Sequence, residues 1–334
     1  MMGQLNIEMN SVCMVIDQFL EESDSMVRIP VRRTAEKKGK LLRPLLLVLT
    51  ASCGKHNMQT TIRAASALEL MHIASLIHDD IVDEGALRRG TVSVQSEFGK
   101  DVAVYAGDYT LAKSISILTA LHDMRLITMF NKAMTTLCRG EIKQHMCRYH
   151  YLSNEEYIEI VSQKTGELFA LSLEAGGYLG GMDAEVCAAL QDIGRKLGVA
   201  YQIYDDCLDY TAPGSQALKD THKDIRQGSY TLPLLCALEN DASANLQRVL
   251  STSLNDDILF DINQMVVELD GAEIAMGYAM EYFNRVLQDI KMLSFKKNID
   301  FDELIHGIEA LITTTCAVAN ISIEETIPSG VAVG

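Results

Sequence analysis

The amino-acid sequence predicts an all-α fold, a bundle of long helices in one large domain. Apolar residues recur at i, i+3 and i+4 along almost the whole chain, and the alternating pattern typical of strands is scarce. The 334 residues include only five prolines, with no linker or low-complexity tract at which to divide the chain. Hydrophobic residues make up 48% of the chain, which is enough for a large core. We therefore predict one helical domain over residues 1–325 and a disordered tail over 326–334.

The helices are bounded by glycine, proline and polar breaks. One helix carries the apolar run that begins near Leu68, and Pro44 suits the first turn of the helix before it. A polar segment over 211–230 is the one long loop, and we predict that it forms a mobile charged lid. The remaining pattern predicts helices over residues 5–22, 26–38, 92–98, 101–121, 124–147, 154–180, 184–210, 232–240, 255–269, 271–293 and 300–318.

The composition excludes several classes of protein. A formal charge of −16 argues against nucleic-acid binding, because a phosphate backbone requires a basic surface. The eight cysteines show neither a CxxC pair nor a zinc spacing, no secretory signal precedes them, and most are expected to be buried thiols. The longest apolar stretch, residues 45–51, is too short to span a bilayer. We expect a soluble cytoplasmic protein with no transmembrane segment.

Three aspartates end the helix within the stretch LELMHIASLIHDDIVDEGALRRG. Asp79, Asp80 and Asp83 are spaced i, i+1, i+4, so they lie on one side of a helix at about 100° per residue. Their charges repel, and they lie near the carboxyl end, where the helix dipole disfavours anions. A divalent cation would remove both costs, and oxygen-only ligands suit Mg2+. A solvated acidic helix end is the alternative, but the residues just before the acids are apolar.

The same arrangement occurs again in KLGVAYQIYDDCLDY. Asp205, Asp206 and Asp209 repeat the spacing, again at the end of an apolar helical run. Two such clusters suggest one cavity, with acids facing across it and cations between them. A ligand that requires two acidic walls and several metal ions is itself strongly anionic, and a diphosphate has this character.

Basic residues near the first cluster are candidates for binding that anion. Lys40 and Arg43 flank the start of a helix, where cations and backbone N–H groups together form an anion site. An ordinary basic turn is the alternative. His72 lies two turns before Asp79 on nearly the same face, and it is either a ligand-binding residue or a core histidine.

Two further helices carry polar residues of interest. Lys164 and Thr165, in QKTGELF, interrupt an otherwise acidic and apolar helix and are candidate phosphate contacts. Gln202 lies three residues before the second cluster on a neighbouring face. The run RGEIKQ places Glu141 and Gln144 at helical spacing, but the sequence alone assigns them no role.

Together these motifs resemble the trans (E-type) isoprenyl diphosphate synthases of the polyprenyl synthetase family. The resemblance runs from GKLLRP through HDDIVDEGALRRG, KTG, YQIYDDCLDY and the lysine-bearing loop to TLP, which covers nearly all of the chain. It implies an all-α barrel around a deep central cavity, as in isoprenoid and terpenoid synthases, and a homodimer. It also implies head-to-tail transfer, in which an allylic diphosphate ionises and the double bond of isopentenyl diphosphate attacks the cation.

The resemblance further implies a role for each matching residue. The metal ligands, for Mg2+ with Mn2+ as a substitute, are Asp79, Asp80, Asp83, Asp205 and Asp209. Asp206 completes the second motif and acts through water. The residues that contact the allylic diphosphate or its carbocation are Arg88, Lys164, Thr165, Gln202 and Lys219, and Lys164 joins the six aspartates as catalytic. The residues that form the pocket for isopentenyl diphosphate are Lys40, Arg43, His72 and Arg89.

One departure from the family pattern concerns the lid. Many members carry a second loop lysine before the TLP segment, where this chain has Ser229. The resemblance implies that this lysine helps the lid to close over pyrophosphate. We therefore expect weaker lid closure and retained activity.

Product length is predicted from the helix before the first cluster, along which the growing chain runs in this family. Ala74 and Ser75, five and four residues before Asp79, are small, so the bulky residue that stops the shortest products is missing. Met71 is the first large residue, roughly 12 Å below Asp79 at about 1.5 Å per residue. We predict a product longer than farnesyl, with twenty carbons or more.

Other functions fit part of these observations. A class I terpene cyclase also uses DDxxD and Mg2+, but its second metal motif normally mixes Asn, Ser and Glu. A non-catalytic subunit of a two-component synthase typically loses an acid cluster, whereas this chain keeps both. A catalytic subunit that requires a small regulatory partner stays open. A divalent-ion sink or a purely structural helical protein is the plainest alternative.

Overall fold

The structure is a computed structural model that describes residues 2–23, 25–36, 41–85, 87–88, 91–211 and 224–318. Its regular structure is almost entirely helical, as predicted, and no helix in these ranges is long and apolar enough to cross a membrane. The helices are α1 (Met2–Glu22), α2 (Ser25–Glu36), α3 (Leu42–Ser52), α4 (Met58–Val82), α5 (Val94–Phe98), α6 (Lys100–Thr119), α7 (Met124–Met146), α8 (Asn154–Val161), α9 (Glu167–Leu179), α10 (Ala184–Thr211), α11 (Leu232–Asn240), α12 (Asn245–Leu250), α13 (Asp256–Glu268), α14 (Gly271–Lys297) and α15 (Asp302–Val318).

The structure differs from the predicted elements at three places. Strands β1 (Leu87–Arg88) and β2 (Thr91–Val92) pair antiparallel in a hairpin after the first acid cluster, where the sequence indicates only a break. A π-helical turn, Ser162–Gly166, divides the predicted helix over 154–180 into α8 and α9. Helix α12 falls within a predicted break. Each of these elements is too short to show a hydrophobic period of its own.

Helix α4 positions the first acid cluster. Asn57 caps its start, because its side chain accepts a hydrogen bond from the Thr60 backbone N–H at 3.1 Å. Buried residues occur on every side of α4, as expected for a helix enclosed by its neighbours. Helix α6 is its most extensive packing partner, and Ser114 of α6 donates a hydrogen bond to the Ala67 carbonyl at 2.7 Å. The acids therefore end a helix that is fixed along its length.

The described residues group into two compact units. The first comprises Met1–Ala133, Leu171–Gln191 and Lys297–Leu304, and within it α4 packs on α1, α3 and α6. The second comprises Met134–Ala170, Asp192–Lys296 and Ile305–Gly334. One core of the second unit consists of Ile225, Leu234, Ala237, Leu246, Leu250, Leu259, Ile262 and Val266. The first acid cluster belongs to the first unit and the second cluster to the second; one domain over 1–325 stays a prediction.

The seven cysteines whose side chains the structure describes, all except Cys316, form no disulfide. Cys187, Cys207 and Cys236 are buried, whereas Cys138 is exposed on α7. The expectation of mostly buried thiols is therefore met only in part. Burial raises the pKa of both Cys53 and Cys236 to about 12.

Candidate functional site

The first acid cluster lies in the last turn of α4 and at its cap. Asp80 is buried at 8% exposure, whereas Asp79 and Asp83 are half-buried. The Asp83 N–H donates to the Asp79 carbonyl at 2.9 Å, and the Gly85 N–H donates to the Asp80 carbonyl at 2.9 Å. Glu84 between them has a left-handed φ of 50°. These bonds close the helix end and keep the aspartates on its final turn.

The hairpin that follows is tied to this turn through one carbonyl. Gly85 O accepts hydrogen bonds from the Ser93 hydroxyl and, at 3.0 Å, from the Gln95 amide. The backbone of Arg88, one predicted diphosphate contact, lies on β1, a short distance along the chain after the acids. The Arg88 side chain and all of Arg89 lie outside the described residues, as do Lys40 and Lys219.

A histidine links the end of α4 to α6. His78 Nε2 lies 3.2 Å from Asp108 Oδ1. The imidazole also packs against Gly107, where a Cβ atom would lie 2.7 Å from His78 Cδ2. The residue next to the first cluster is thus held by a pair on α6 that sequence reasoning did not identify.

Arg43 and His72, which the resemblance assigns to one pocket, contact each other. Arg43 Nη1 lies 3.0 Å from His72 Nε2, and because arginine can only donate, that imidazole nitrogen accepts. Arg43 lies in the first turn of α3, and α3 packs on α4. The structure therefore brings together a guanidinium and an imidazole that are far apart in the sequence. Their role in binding a diphosphate stays a prediction.

The second acid cluster lies near the end of α10. Asp205 is exposed and Asp209 half-buried, whereas Asp206 is buried at 7% exposure. Asp206 accepts one hydrogen bond from the Tyr157 hydroxyl and another, at 2.8 Å, from the Gln202 amide. Burial raises the pKa of Asp206 to about 7, while these two hydrogen bonds act in the opposite direction. In both clusters the second aspartate is therefore the buried one.

The π turn lies beside this cluster. The Thr165 hydroxyl donates to Gln202 Oε1 at 2.9 Å, so Gln202 joins Thr165 to Asp206. The Lys164 ammonium contacts Glu141 at 3.0 Å and Gln144 at 2.9 Å, both on α7. Turns of this type often occur at functional sites. Sequence reasoning noted the spacing of Glu141 and Gln144 but missed their partner.

The predicted lid is described only in part. Helix α10 extends to Thr211, and residues 212–223 lie outside the described ranges. Ser229, which replaces the second loop lysine, donates its N–H to the Asp224 carbonyl at 2.9 Å. Its hydroxyl lies 3.5 Å from the Gln144 amide nitrogen.

The predicted product-length residues are all buried on α4. Met71, Ala74 and Ser75 are 2%, 0% and 6% exposed. Ser75 donates its hydroxyl hydrogen to the His72 carbonyl at 2.8 Å, so its buried hydroxyl is hydrogen-bonded within the helix. Their effect on product length stays a prediction.

The donor chemistry of the clusters fits Mg2+. No three His, Cys, Asp or Glu side chains in the part of the chain that the structure describes are close enough to hold a metal ion by themselves. A Mg2+ ion at either cluster would take one or two carboxylates and complete its coordination with ligand oxygens and water. Mg2+ beside phosphates is usually held in this way.

Comparison with known proteins decides the family. Residues 24–263 match the polyprenyl synthetase family. Heptaprenyl diphosphate synthase component 2 of Bacillus subtilis is 31% identical over 256 residues, which are 76% of this chain and 74% of that protein. The chain belongs to the polyprenyl synthetase family.

Two further relatives of this polyprenyl synthetase bear on fold and activity. Geranylgeranyl diphosphate synthase of Methanosarcina mazei is 34% identical over 221 residues, 64% of this chain and 68% of that protein. The crystal structure of polyprenyl synthase from Caulobacter crescentus, complexed with calcium and isoprenyl diphosphate, has a TM-score of 0.84 at 27% identity, covering 95% of this chain and 96% of that chain. The predicted all-α synthase fold and prenyltransferase activity are thereby confirmed. Divalent metal ions belong to the chemistry of this family.

Proposed function

We propose that this prenyltransferase condenses isopentenyl diphosphate head-to-tail with an allylic diphosphate in a Mg2+-dependent reaction. The observation that carries the proposal is the pair of acid clusters that end α4 and α10. In each cluster the first and third aspartates are more exposed than the second, so they are the most accessible to a cation. Mg2+, with Mn2+ as a substitute, would supply charge stabilisation for the departing diphosphate.

The aspartates divide into ligands and supports. Asp79, Asp80, Asp83, Asp205 and Asp209 would hold the metal together with diphosphate oxygens and water. Asp80 and Asp206 are the buried members. For Asp206, the bonds to Tyr157 and Gln202 favour a positioning role over direct ligation. We propose that both clusters hold Mg2+ on the same diphosphate.

Basic and polar side chains orient the two substrates. Lys164 and Thr165, with Gln202, Arg88 and Lys219, would bind the allylic diphosphate. Arg43 and His72, with Lys40 and Arg89, would bind isopentenyl diphosphate. In the reaction the allylic C–O bond breaks, a C–C bond forms, and one proton leaves the condensed product for the departed pyrophosphate. The chemistry therefore requires charge stabilisation and positioning more than a side-chain base.

We also propose that the product has twenty carbons or more. Ala74 and Ser75 are too small to stop chain growth near the first cluster, and Met71 is the first large side chain beyond them. The relatives named as a geranylgeranyl diphosphate synthase and as component 2 of a heptaprenyl diphosphate synthase belong to enzymes of this product class. Comparison of several allylic diphosphates in the product assay identifies the preferred primer.

The assembly that we propose is a cytoplasmic homodimer. Helix α6 exposes three large apolar side chains, Val104, Tyr105 and Ile115, by 38%, 70% and 48%. Exposed apolar side chains of this size on one helix favour burial against another protein surface. Light scattering on the purified protein, compared with Tyr105→Asp, tests the dimer; an unchanged mass for the variant would place the interface elsewhere.

A catalytic subunit of a two-component synthase is the second candidate. The likeness to component 2 of a heptaprenyl diphosphate synthase favours it. A class I terpene cyclase is disfavoured, because the second cluster keeps the full DDxxD pattern. The single-chain synthase and the two-component synthase differ in whether the purified chain is active without a partner.

The test is a product assay on the purified protein. It contains Mg2+, labelled isopentenyl diphosphate and, in separate reactions, dimethylallyl, geranyl, farnesyl and geranylgeranyl diphosphates. We expect products of twenty carbons or more, lost with chelator and with Asp79→Ala. Asp261→Ala, at an exposed aspartate of α13, is the control that keeps activity. No incorporation from folded protein with any primer would overturn activity of the chain alone and favour the two-component enzyme.

A further inference from the structure

The π turn places Lys164 against α7 with no side chain between their backbones. A Cβ atom on Gly140 would lie 2.7 Å from the Lys164 backbone nitrogen and 3.0 Å from Cβ of Gln163. Real Cβ atoms do not approach so closely, so only glycine lets α7 run this near the turn. The side chains of Glu141 and Gln144 on α7 are thereby brought within reach of the Lys164 ammonium.

Both of these side chains contact the ammonium. Glu141 Oε2 lies 3.0 Å from Lys164 Nζ, and Gln144 Oε1 accepts a hydrogen bond from it at 2.9 Å. The lysine and glutamate side chains are only 27% and 29% exposed, so their attraction is less screened than at an open surface. Lysine has a flexible four-carbon stem, and ordering it costs conformational entropy. Because two acceptors on α7 already hold the ammonium, the lysine side chain is ordered before any ligand binds.

Gln144 also connects Lys164 to the end of the predicted lid segment. Its Nε2 lies 3.5 Å from Ser229 Oγ. The Ser229 position is where many members carry a second lysine. In this chain the contact is between two neutral groups, the Gln144 amide and the Ser229 hydroxyl. The carboxylate of Glu141 offsets the charge of Lys164.

We propose that Glu141 and Gln144 are positioning residues that hold the Lys164 ammonium for the allylic diphosphate. We further propose that the Glu141 charge weakens binding of the diphosphate group, which assists departure of pyrophosphate. The inference rests on the proposed function, because it assumes that Lys164 contacts the diphosphate. It gives a role to the RGEIKQ motif.

Two substitutions separate charge from geometry. Glu141→Gln keeps the shape and an acceptor but removes the charge, so inorganic pyrophosphate with Mg2+ should bind about three- to tenfold tighter by calorimetry. The KM for the allylic substrate should fall in parallel, with no rise in kcat. Gln144→Leu removes an acceptor, so kcat/KM for the allylic substrate should fall about tenfold while the KM for isopentenyl diphosphate stays unchanged.

A double-mutant cycle shows whether Glu141 acts through Lys164. On a Lys164→Ala background, Glu141→Gln should no longer change pyrophosphate affinity. Glu159→Gln is the matched control, because Glu159 pairs with Lys143 at 2.7 Å and so joins α8 to the same helix. Circular dichroism melts on every variant exclude unfolding as the cause.

The outcomes separate this inference from the proposed function. If Lys164→Ala weakens pyrophosphate binding but Glu141→Gln behaves like the parent, the inference is overturned and the proposed function stands. An equal effect of Glu141→Gln with and without Lys164 also overturns it. If Lys164→Ala changes neither pyrophosphate affinity nor the allylic KM, the assigned contact itself is wrong, and the inference falls with it. A parent protein that binds pyrophosphate but forms no prenyl product contradicts the proposed function alone.

Discussion

The Tyr157 hydroxyl donates a hydrogen bond to the Asp206 carboxylate, and both side chains are buried. Tyr157 lies on α8, before the π turn, whereas Asp206 lies in the second acid cluster. Because Asp206 also binds Gln202, and Gln202 binds Thr165, one chain of hydrogen bonds runs from α8 through α10 back to the π turn. The buried aspartate thereby fixes the polar side chains beside the more exposed acids.

The first prediction concerns this hydrogen bond. Tyr157→Phe leaves a buried carboxyl with one donor fewer, so the free energy of unfolding should fall by about 1–3 kcal/mol. Because Gln202 and Thr165 are then held less firmly, kcat/KM for the allylic substrate should fall about tenfold. Urea unfolding and steady-state kinetics measure the two effects. Tyr151→Phe is the control, since Tyr151 is exposed and its ring stacks on Tyr230.

If Tyr157→Phe unfolds at the same urea concentration as the parent, the bond contributes nothing to stability. If stability falls but the allylic kcat/KM stays within twofold, the chain of bonds does not reach the substrate site. Either result would leave Asp206 without a demonstrated positioning role.

The second prediction concerns the end of α4. In Gly107→Ala the new methyl group would meet the His78 imidazole, since a Cβ there lies 2.7 Å from Cδ2. The ring must move, which breaks the contact with Asp108, and overpacking of this kind costs about 1–3 kcal/mol. We expect a lower Tm and a lower kcat, because the adjacent first cluster shifts. Thermal melts and the product assay are the measurements.

The control for this prediction is Gly277→Ala on α14, where a Cβ meets nothing within 4 Å. Alanine favours a helix by about 0.5–1 kcal/mol over glycine, so this variant should be as stable as the parent or more stable. His78→Ala added to Gly107→Ala should recover part of the lost Tm by removing the clash. A Gly107→Ala protein that melts with the parent would show that the ring moves without cost.

The organisation of the fold could be predicted where one segment carries the whole signal. The apolar run of α4 and its terminal aspartates are adjacent in sequence, so helix, burial and acid cluster follow from periodicity and charge. The contact between Arg43 and His72 could not be predicted from a single segment. No local pattern joins residues that far apart, and only the resemblance to a family placed them in one pocket.

The support around the second cluster could not be predicted in this way. Tyr157 and Asp206 are distant in sequence, and a tyrosine on an apolar helix usually indicates core packing. The π turn changes the hydrogen-bond spacing over only five residues, Ser162–Gly166, without changing the composition. The pairing of Lys164 with α7 depends on the closeness of two backbones at Gly140, which periodicity does not report.

The third prediction concerns thiol reactivity. Burial raises the pKa of Cys53 and Cys236 to about 12, so at pH 8 only about 10⁻⁴ of each is the reactive thiolate. The shift is upward, so reactivity should stay low throughout the neutral range and appear only on unfolding. Iodoacetamide labelling followed by mass spectrometry should show both thiols reacting at least a hundredfold slower than in guanidinium chloride, on the basis of about three orders of magnitude in thiolate fraction. Labelling of native Cys53 at the unfolded rate would show that the thiol is open to solvent.

The last prediction concerns product length. If the Ala74 face of α4 borders the path of the growing chain, Ala74→Tyr should shorten the product to fifteen carbons or fewer and lower the Tm only slightly. Met71→Ala should act in the opposite direction and lengthen the product, because it removes the first large side chain on that face. Chromatography of the dephosphorylated products measures both.

If this face of α4 instead packs tightly, a tyrosine in place of the fully buried Ala74 would overpack the core. The free energy of unfolding would then fall by about 1–3 kcal/mol, and product length would stay unchanged. A strong loss of stability together with an unchanged product would therefore exclude a path along α4, whereas opposite shifts from the two variants would place the limit of chain growth between Ala74 and Met71.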